Sequence, residues 1–197
     1  DMADAELLTL ALFPLPIVVV PGEIVPLHIF EPRYRKLVAD RTDDSQPFGM
    51  VYGPDDGHAS IGCAVHIQNV VHQFPDGRLN IVVRGWRRFR VLHVADSDEP
   101  YIVTRCEWFG DDGIEPVSQD LVEELRATFR HVAHVKDWGI NLPVDIETDA
   151  AKLSWLVADA MNLSADAKQS LLEMSTVAER MQTAMRWLSA ALLGGEG

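Results

Sequence analysis

The chain has 197 residues, 47% of them hydrophobic, and 30 Asp and Glu against 17 Lys and Arg, a formal net charge of −13. That apolar content supports a packed core and excludes a disordered chain, while the acidic excess repels polyanions at long range. No run of 18 apolar residues occurs and no basic stretch precedes an apolar one, so neither a membrane span nor a secretory signal is expected.

Residues 1–11 read as an N-terminal tail, 12–112 as a strand-rich segment and 113–197 as a helical one. Ile17 to Val20 is a continuous β-branched run, the pattern of a strand buried on both faces, and Pro21-Gly22 closes it with a turn. A second apolar stretch, Pro26 to Phe30, runs into Pro32, which opens a short helix over Arg33 to Asp40 with Tyr34, Leu37 and Val38 on one face. Phe48 to Tyr52 is a short strand stopped by Gly53-Pro54-Asp55-Asp56-Gly57.

Cys63 to Phe74 and Leu79 to Val83 flank Pro75-Asp76-Gly77 and predict a hairpin, with Asp-Gly supplying positive φ angles. Gly85 interrupts the following strand at a bulge or tight bend, after which Phe89 and Val91 alternate with Arg88 and Arg90. Tyr101 to Trp108 completes the set, and many short strands with turns between them suggest a closed or partly closed barrel.

The period turns helical from about Ser118. Leu121, Leu125, Phe129 and Val132 form one stripe, and Gly139 reads as the left-handed residue beyond its end. Leu153, Leu156, Val157, Ala160 and Met161 form a second stripe. Ser164 caps a short third helix, and Thr176-Val177-Ala178-Glu179 is a capping box for a last one whose inner face holds Met181, Ala184 and Leu188.

Catalytic signatures are missing from this chain: it contains no GxxxxGK[ST], HExxH, GxSxG or GxGxxG. The doublets Asp43-Asp44, Asp55-Asp56 and Asp111-Asp112 sit among turn residues and read as solvated loops. His131 and His134 share a helix face but lack a third ligand at a suitable spacing, so no metal site is expected. His66 and His72 share a strand parity that could bring both toward something across the sheet, with surface strand residues as the first reading, and His28 reads as packing or hydrogen-bonding locally. Cys63 and Cys106 read as buried reduced thiols. Phe30, Tyr34, Phe74 and Trp86 are candidate exposed aromatics, each with core packing as the stronger reading.

Arg84-Gly85-Trp86-Arg87-Arg88-Phe89-Arg90 interleaves basic and aromatic residues. It reads first as an amphipathic strand with its arginines outward and paired to carboxylates. The alternative is a nucleic-acid surface.

Together the Pro21-Gly22 turn, the run Pro26-Leu27-His28-Ile29-Phe30-Glu31-Pro32-Arg33-Tyr34, Gly62-Cys63, the Pro75-Asp76-Gly77 hairpin and Val83-Arg84-Gly85 with Arg88-Phe89 resemble the N-terminal substrate-binding domain of the Lon protease family. The form of the Ile29 to Tyr34 segment looks most like the stand-alone bacterial members, which lack the ATPase and protease modules. The resemblance implies an α+β fold: a PUA-like β pseudo-barrel with one short inserted helix, followed by a C-terminal helical bundle. It also implies a cytoplasmic, non-enzymatic module without cofactors that binds unfolded or extended segments of client proteins, in company with a protease or its clients. Two modes are open, strand addition at an unclosed barrel edge or an apolar groove between barrel and bundle. The alternative function is an RNA-binding module using Arg84 to Arg90. The family offers no catalytic residues to transfer, and no binding residues are assigned. Glu31 is expected to favour the helix N-terminus, and Arg33 to form an ion pair there rather than a binding surface.

Overall fold

The computed structural model describes residues 7–111, 116–140 and 149–194. Six strands and one helix make the first unit, Asp1–Gly110: β1 (Leu7–Leu15), β2 (Ile24–Ile29), α1 (Pro32–Asp44), β3 (Phe48–Tyr52), β4 (Ile61–Gln73), β5 (Leu79–Val94) and β6 (Ile102–Trp108). β1 pairs in parallel with β3 and antiparallel with β6, β3 with β4, β4 with β5, and β5 with β6, so five strands close into a ring. β2 lies outside the ring, paired to the first half of β5. This is the expected α+β architecture, with a strand ring less regular than a simple barrel.

The first strand sits earlier than its composition suggested. Leu7–Ala11, assigned above to the tail, are the first half of β1, whereas Val18, Val19 and Val20 are buried but not in a strand. Burial without strand pairing accounts for Val18 to Val20, with Val19 in the apolar core, while Ile17 is 39% exposed. The exit of this segment is a type II turn: the Glu23 N–H donates to the Val20 carbonyl at 3.1 Å, Pro21 is the first central residue, and Gly22 takes φ +86°.

That turn lands on Gly85. The Gly22 N–H donates to the Gly85 carbonyl, the Gly85 N–H donates to the Glu23 carbonyl, and a Cβ on Gly85 would lie 2.2 Å from the Val20 oxygen. The sequence expectation of a bulge also holds here. Val65 pairs with Gly85 but Cys63 with Arg88, so β5 carries one extra residue where it leaves β2 and turns toward β6.

Two apolar layers follow from this. Leu10, Leu12, Val51, Ala64, Phe89 and Cys106, drawn from all five ring strands, form one cluster. On the other face Ala11, Phe13, Met50, Val65, Ile81 and Val83 pack with Tyr34, Leu37 and Val38 of α1. Both cysteines are free and buried, and burial pushes the Cys63 thiol up to about 12. The helix α1 runs one turn beyond its expected end at Asp40, with the Thr42 hydroxyl donating to the Val38 carbonyl and Ser45 closing it at φ +57°. Asp40 accepts from Lys36 and from the Tyr101 hydroxyl, which together hold its carboxyl below the usual range.

The hairpin turn differs from the expectation in one dihedral. Gly77 alone is left-handed, at φ +93°, while Asp76 is not. Pro75 fixes its own φ near −65°, which rules out the primed turn and leaves a three-residue loop ending in a left-handed glycine. The Gly77 N–H donates to Phe74 and the Phe74 N–H to Arg78, closing that loop.

The second unit, Asp111–Gly197, contains α2 (Gln119–Val135), α3 (Ala150–Ala160), α4 (Ala165–Leu172) and α5 (Val177–Leu193). Leu125, Phe129, Val132, Leu153, Val157, Met181, Ala184 and Leu188 are its core. Ser164 and Thr176 cap as expected, accepting from Ala167 and Glu179. Gly139 is left-handed as expected, at φ +63°, but the residue that directly follows the cap of α2 is Asp137, itself left-handed at φ +53°. The Trp138 N–H reaches the Ala133 carbonyl and the Asp137 N–H that of His134, a Schellman closure that folds the Trp138 ring to 6.0 Å from Phe129. Arg180, only 1% exposed, grips Asp111 through two bonds of 2.5 and 3.2 Å, donates to Ser154 and lies 4.0 Å over the Trp155 ring. Asp111 is therefore a structural anchor rather than a solvated loop residue; Asp112 and Gly113 lie outside the described residues. Among the described residues no helix is long and apolar enough to cross a membrane.

Two substitutions test these points. Gly85→Ala, which drives a methyl group into backbone, is expected to lose about 3 kcal/mol in urea unfolding, the upper end of the range for overpacking. Asp111→Ala leaves a buried guanidinium without its carboxylate and is expected to cost about 2–3 kcal/mol in the melting of the helical signal, with Asp98→Ala as a near-neutral control.

Candidate functional site

β2, β5 and β4 lie side by side, and their registers line up three rows of side chains on one face. Directly opposed residues of antiparallel strands project to the same side. His28 faces Asn80, which faces His72; Pro26 faces Val82, which faces Asn69; Ile24 faces Arg84, which faces His66. Three histidines therefore share one sheet face; the shared parity of His66 and His72 was legible in their spacing, and the strand register adds His28.

One end of this face is built around Phe74. Its ring stands edge-on to His72 at 4.4 Å and to His28 at 5.9 Å, with the Arg78 guanidinium 4.6 Å over it. His28 stacks on Phe30 at 5.9 Å and contacts Asn80 through Nδ1 at 2.6 Å, the local role expected of it. Phe30 is 57% exposed. Arg35 fixes this end by donating to the carbonyls of Phe30 and Asp76.

The other end lies against the ring core. Ala64 is part of that core, and His66, two residues on, shares its face of β4, so the surface lining the ring continues outward onto His66. Trp108 packs on the same core and meets Trp86 edge to face at 5.2 Å, and Trp86 in turn meets His66 at 4.9 Å. The Arg87 guanidinium lies 4.3 Å over Trp108 and 5.6 Å from Trp86. Trp86 is 44% exposed. Core packing was the stronger expectation for Phe30 and Trp86, and the fold overturns it for both; Tyr34 does sit in the core, and Phe74 is half-buried.

β2 is the edge of this surface. Its Pro26 sits in mid-strand, a position tolerated where the missing N–H faces solvent. A separate apolar recess of about 770 Å³ opens beside the ends of β1 and β3, lined by Pro14, Pro16, Tyr52, Pro54 and His58. A smaller and more polar one, about 450 Å³, lies between Arg41, Thr42 and Gln46 of the α1 end and His66, Ile67 and Asn69 of β4.

The remaining candidates disperse. Arg33 pairs with Glu31 at 3.5 Å and Asp55 at 2.5 Å, the helix-start ion pair expected, although Glu31 makes no side-chain cap bond. The Asp55 and Asp44 carboxylates are thereby engaged rather than merely solvated, Asp44 with Arg41 at 2.8 Å. His131 and His134 are exposed on α2, and no group of three metal-ligating side chains occurs among the described residues.

The arginine segment does not behave as one amphipathic row. Arg90 pairs with Glu107 at 2.9 Å, as expected. Arg88 is 4% exposed and lies 4.5 Å over Phe109, because the bulge at Gly85 turns it under cover while Phe89 fills the ring. Arg84 and Arg87 are exposed and, among the described residues, meet no carboxylate. Trp108 and His66 are the members of the cluster that sequence reasoning missed; the signal was the strand pairing that sets Trp108 opposite Phe89.

A strand ring carrying an aromatic sheet face, bordered by β2, which among the described residues pairs with β5 alone, and a second unit of helices define the class: an α+β fold. The model of the ATP-dependent protease La (LON) substrate-binding domain matches residues 9–190. The chain belongs to that family. It is 27% identical to the Lon protease of Flavobacterium johnsoniae over 98% of its own length and 25% of that protein, and 26% identical to that of Erwinia amylovora over 68% and 17%. The chain thus spans about a quarter or less of these relatives. The crystal structure of a Lon N-terminal domain protein from Xanthomonas campestris is 28% identical with a TM-score of 0.68, covering 91% of this chain and 98% of that one. The N-terminal domain of the Mycobacterium avium complex Lon protease has the same fold, at 20% identity and a TM-score of 0.73 over 92% and 98%.

Burial separates the neighbouring arginines experimentally. Arg88→Glu is expected to unfold the strand unit, since it puts a carboxylate under Phe109. Arg87→Glu is expected to shift its melting by less than about 0.5 kcal/mol, the ordinary range for exposed positions. Similar melting curves for the two variants would contradict this placement.

Proposed function

We propose that this chain is a non-catalytic module that holds exposed or extended segments of client proteins, acting in the cytoplasm as the recognition part of a proteolytic pathway. One observation carries the reading: Phe30 and Trp86, two large aromatics, stand exposed on a single sheet face bordered by the unpaired edge of β2. An extended segment laid beside β2 gains main-chain hydrogen bonds from the edge, and its alternate side chains fall on the aromatic face. Folded proteins keep their apolar segments and strand edges covered, so such a surface selects unfolded chains without reading a defined sequence. Membership of the Lon substrate-binding domain family supports this reading, and the free, buried Cys63 and Cys106 accord with a reducing compartment.

The test is titration with reduced, carboxyamidomethylated lactalbumin as an unfolded probe, followed by tryptophan emission, with native lactalbumin as control. The unfolded probe is expected to bind and the native one not. Phe30→Ser and Trp86→Ser are each expected to weaken binding by about tenfold, equivalent to about 1.4 kcal/mol. Unchanged affinity in both variants would place the client surface elsewhere.

A further inference from the structure

We infer that Arg84 and Arg87, set around Trp86 and Trp108, form an acid-reading subsite that favours client segments in which a Glu or Asp adjoins an apolar residue. The inference deepens the proposed client binding and rests on it. The chain carries 30 acidic residues against 17 basic ones, so a guanidinium at its surface has abundant carboxylates to pair with. Four other arginines of the strand unit do so, Arg33 with Asp55, Arg41 with Asp44, Arg78 with Asp76 and Arg90 with Glu107, while Arg35 donates to the Phe30 and Asp76 carbonyls and Arg105 to the Thr9 hydroxyl. Arg84 and Arg87 are exposed, and among the described residues neither meets a carboxylate.

Their surroundings are formed rather than floppy. The Arg87 guanidinium carbon lies over Trp108, 4.3 Å from the ring centroid, and Trp108 is braced by the ring core and by Trp86. A guanidinium stacked on an indole keeps its in-plane N–H groups free to take a carboxylate through two bonds. Arg84 projects on the same sheet face between Ile24 of the edge strand and His66, which itself contacts Trp86. A segment lying along β2 therefore meets an apolar wall of Trp86 and Ile24 with two unpaired cations beside it.

The charge count selects the occupant. Two guanidiniums match one or two carboxylates within a mostly apolar segment. A nucleic-acid strand presents a phosphate at every nucleotide, more than these two cations neutralise, and the net charge of −13 opposes the remainder. An acidic residue beside an apolar one satisfies both halves of the surface.

Fluorescence anisotropy at 50 mM and 300 mM salt tests this with two unstructured twelve-residue peptides, identical but for two Glu replaced by Gln next to Phe and Leu. The intact chain is expected to bind the Glu peptide about tenfold more tightly at 50 mM salt, with the difference shrinking at 300 mM. In the double variant Arg84→Gln/Arg87→Gln the two peptides are expected to bind alike, with the melting temperature unchanged. Phe30→Ser is expected to weaken both equally. Equal binding of the two peptides by the intact chain overturns the subsite and leaves the proposed function standing; absence of binding by either peptide overturns both. A twelve-residue oligouridine that binds as tightly as the Glu peptide, and loses that binding in the double variant, overturns the peptide assignment in favour of RNA.

Discussion

The Val20 carbonyl resting against the bare Cα of Gly85 is the contact on which the strand unit turns. β5 is sixteen residues long and must serve three neighbours, with β4 along one side and first β2, then β6, along the other. Two strands cannot occupy one side of a third unless the sheet bends between them. The Pro21-Gly22 turn ends the approach to β2 at the place where β5 carries its extra residue, and the absence of a side chain on Gly85 lets the two backbones meet. Beyond the bulge β5 reaches β6 and the ring closes. Everything displayed on the sheet, from Phe30 to Trp108, inherits its position from that crossing.

Much of this is written locally, and the parts that are not have a common cause. The Pro-Gly turn, Pro32 opening α1, the hairpin at Pro75-Asp76-Gly77 and the caps Ser164 and Thr176 each depend on a few adjacent residues, so composition reveals them. Ile17–Val20 misled because an apolar run does not record pairing: Val18, Val19 and Val20 are buried without being a strand, and Ile17 is exposed. Arg88 misled because its alternation with Phe89 was read through a bulge that changes which way the strand faces. Arg180 and Asp111 are separated by 69 residues, and no local pattern announces a buried charge whose partner is that distant.

The candidate surface was least legible of all. Phe30 and Trp86 have the composition of core residues, and only the register of three strands shows that they flank one face. His28, His66 and His72 come together the same way, through pairing to Asn80 and Arg84. Membership of the Lon substrate-binding domain family fixed the architecture in advance, but some of the family motif residues turn out to hold the frame: Pro21, Gly22, Arg33 and Gly85 bend, cap or make room. Other residues of the same motif, Pro26, His28, Phe30 and Arg84, lie on the candidate surface itself, so one motif supplies both the frame and part of the displayed face.

Pro26 has a further consequence. A bare strand at the border of a sheet invites unlimited growth, copy upon copy, which is how fibres begin. An imide nitrogen halfway along β2 offers nothing to a newcomer at that step, so two molecules set border to border forfeit their central link. A short visitor can lie to one side of the gap; an endless stack cannot form across it. Pro26 thus sets a break in the border that disfavours such stacking while leaving the positions on either side of it to a short partner.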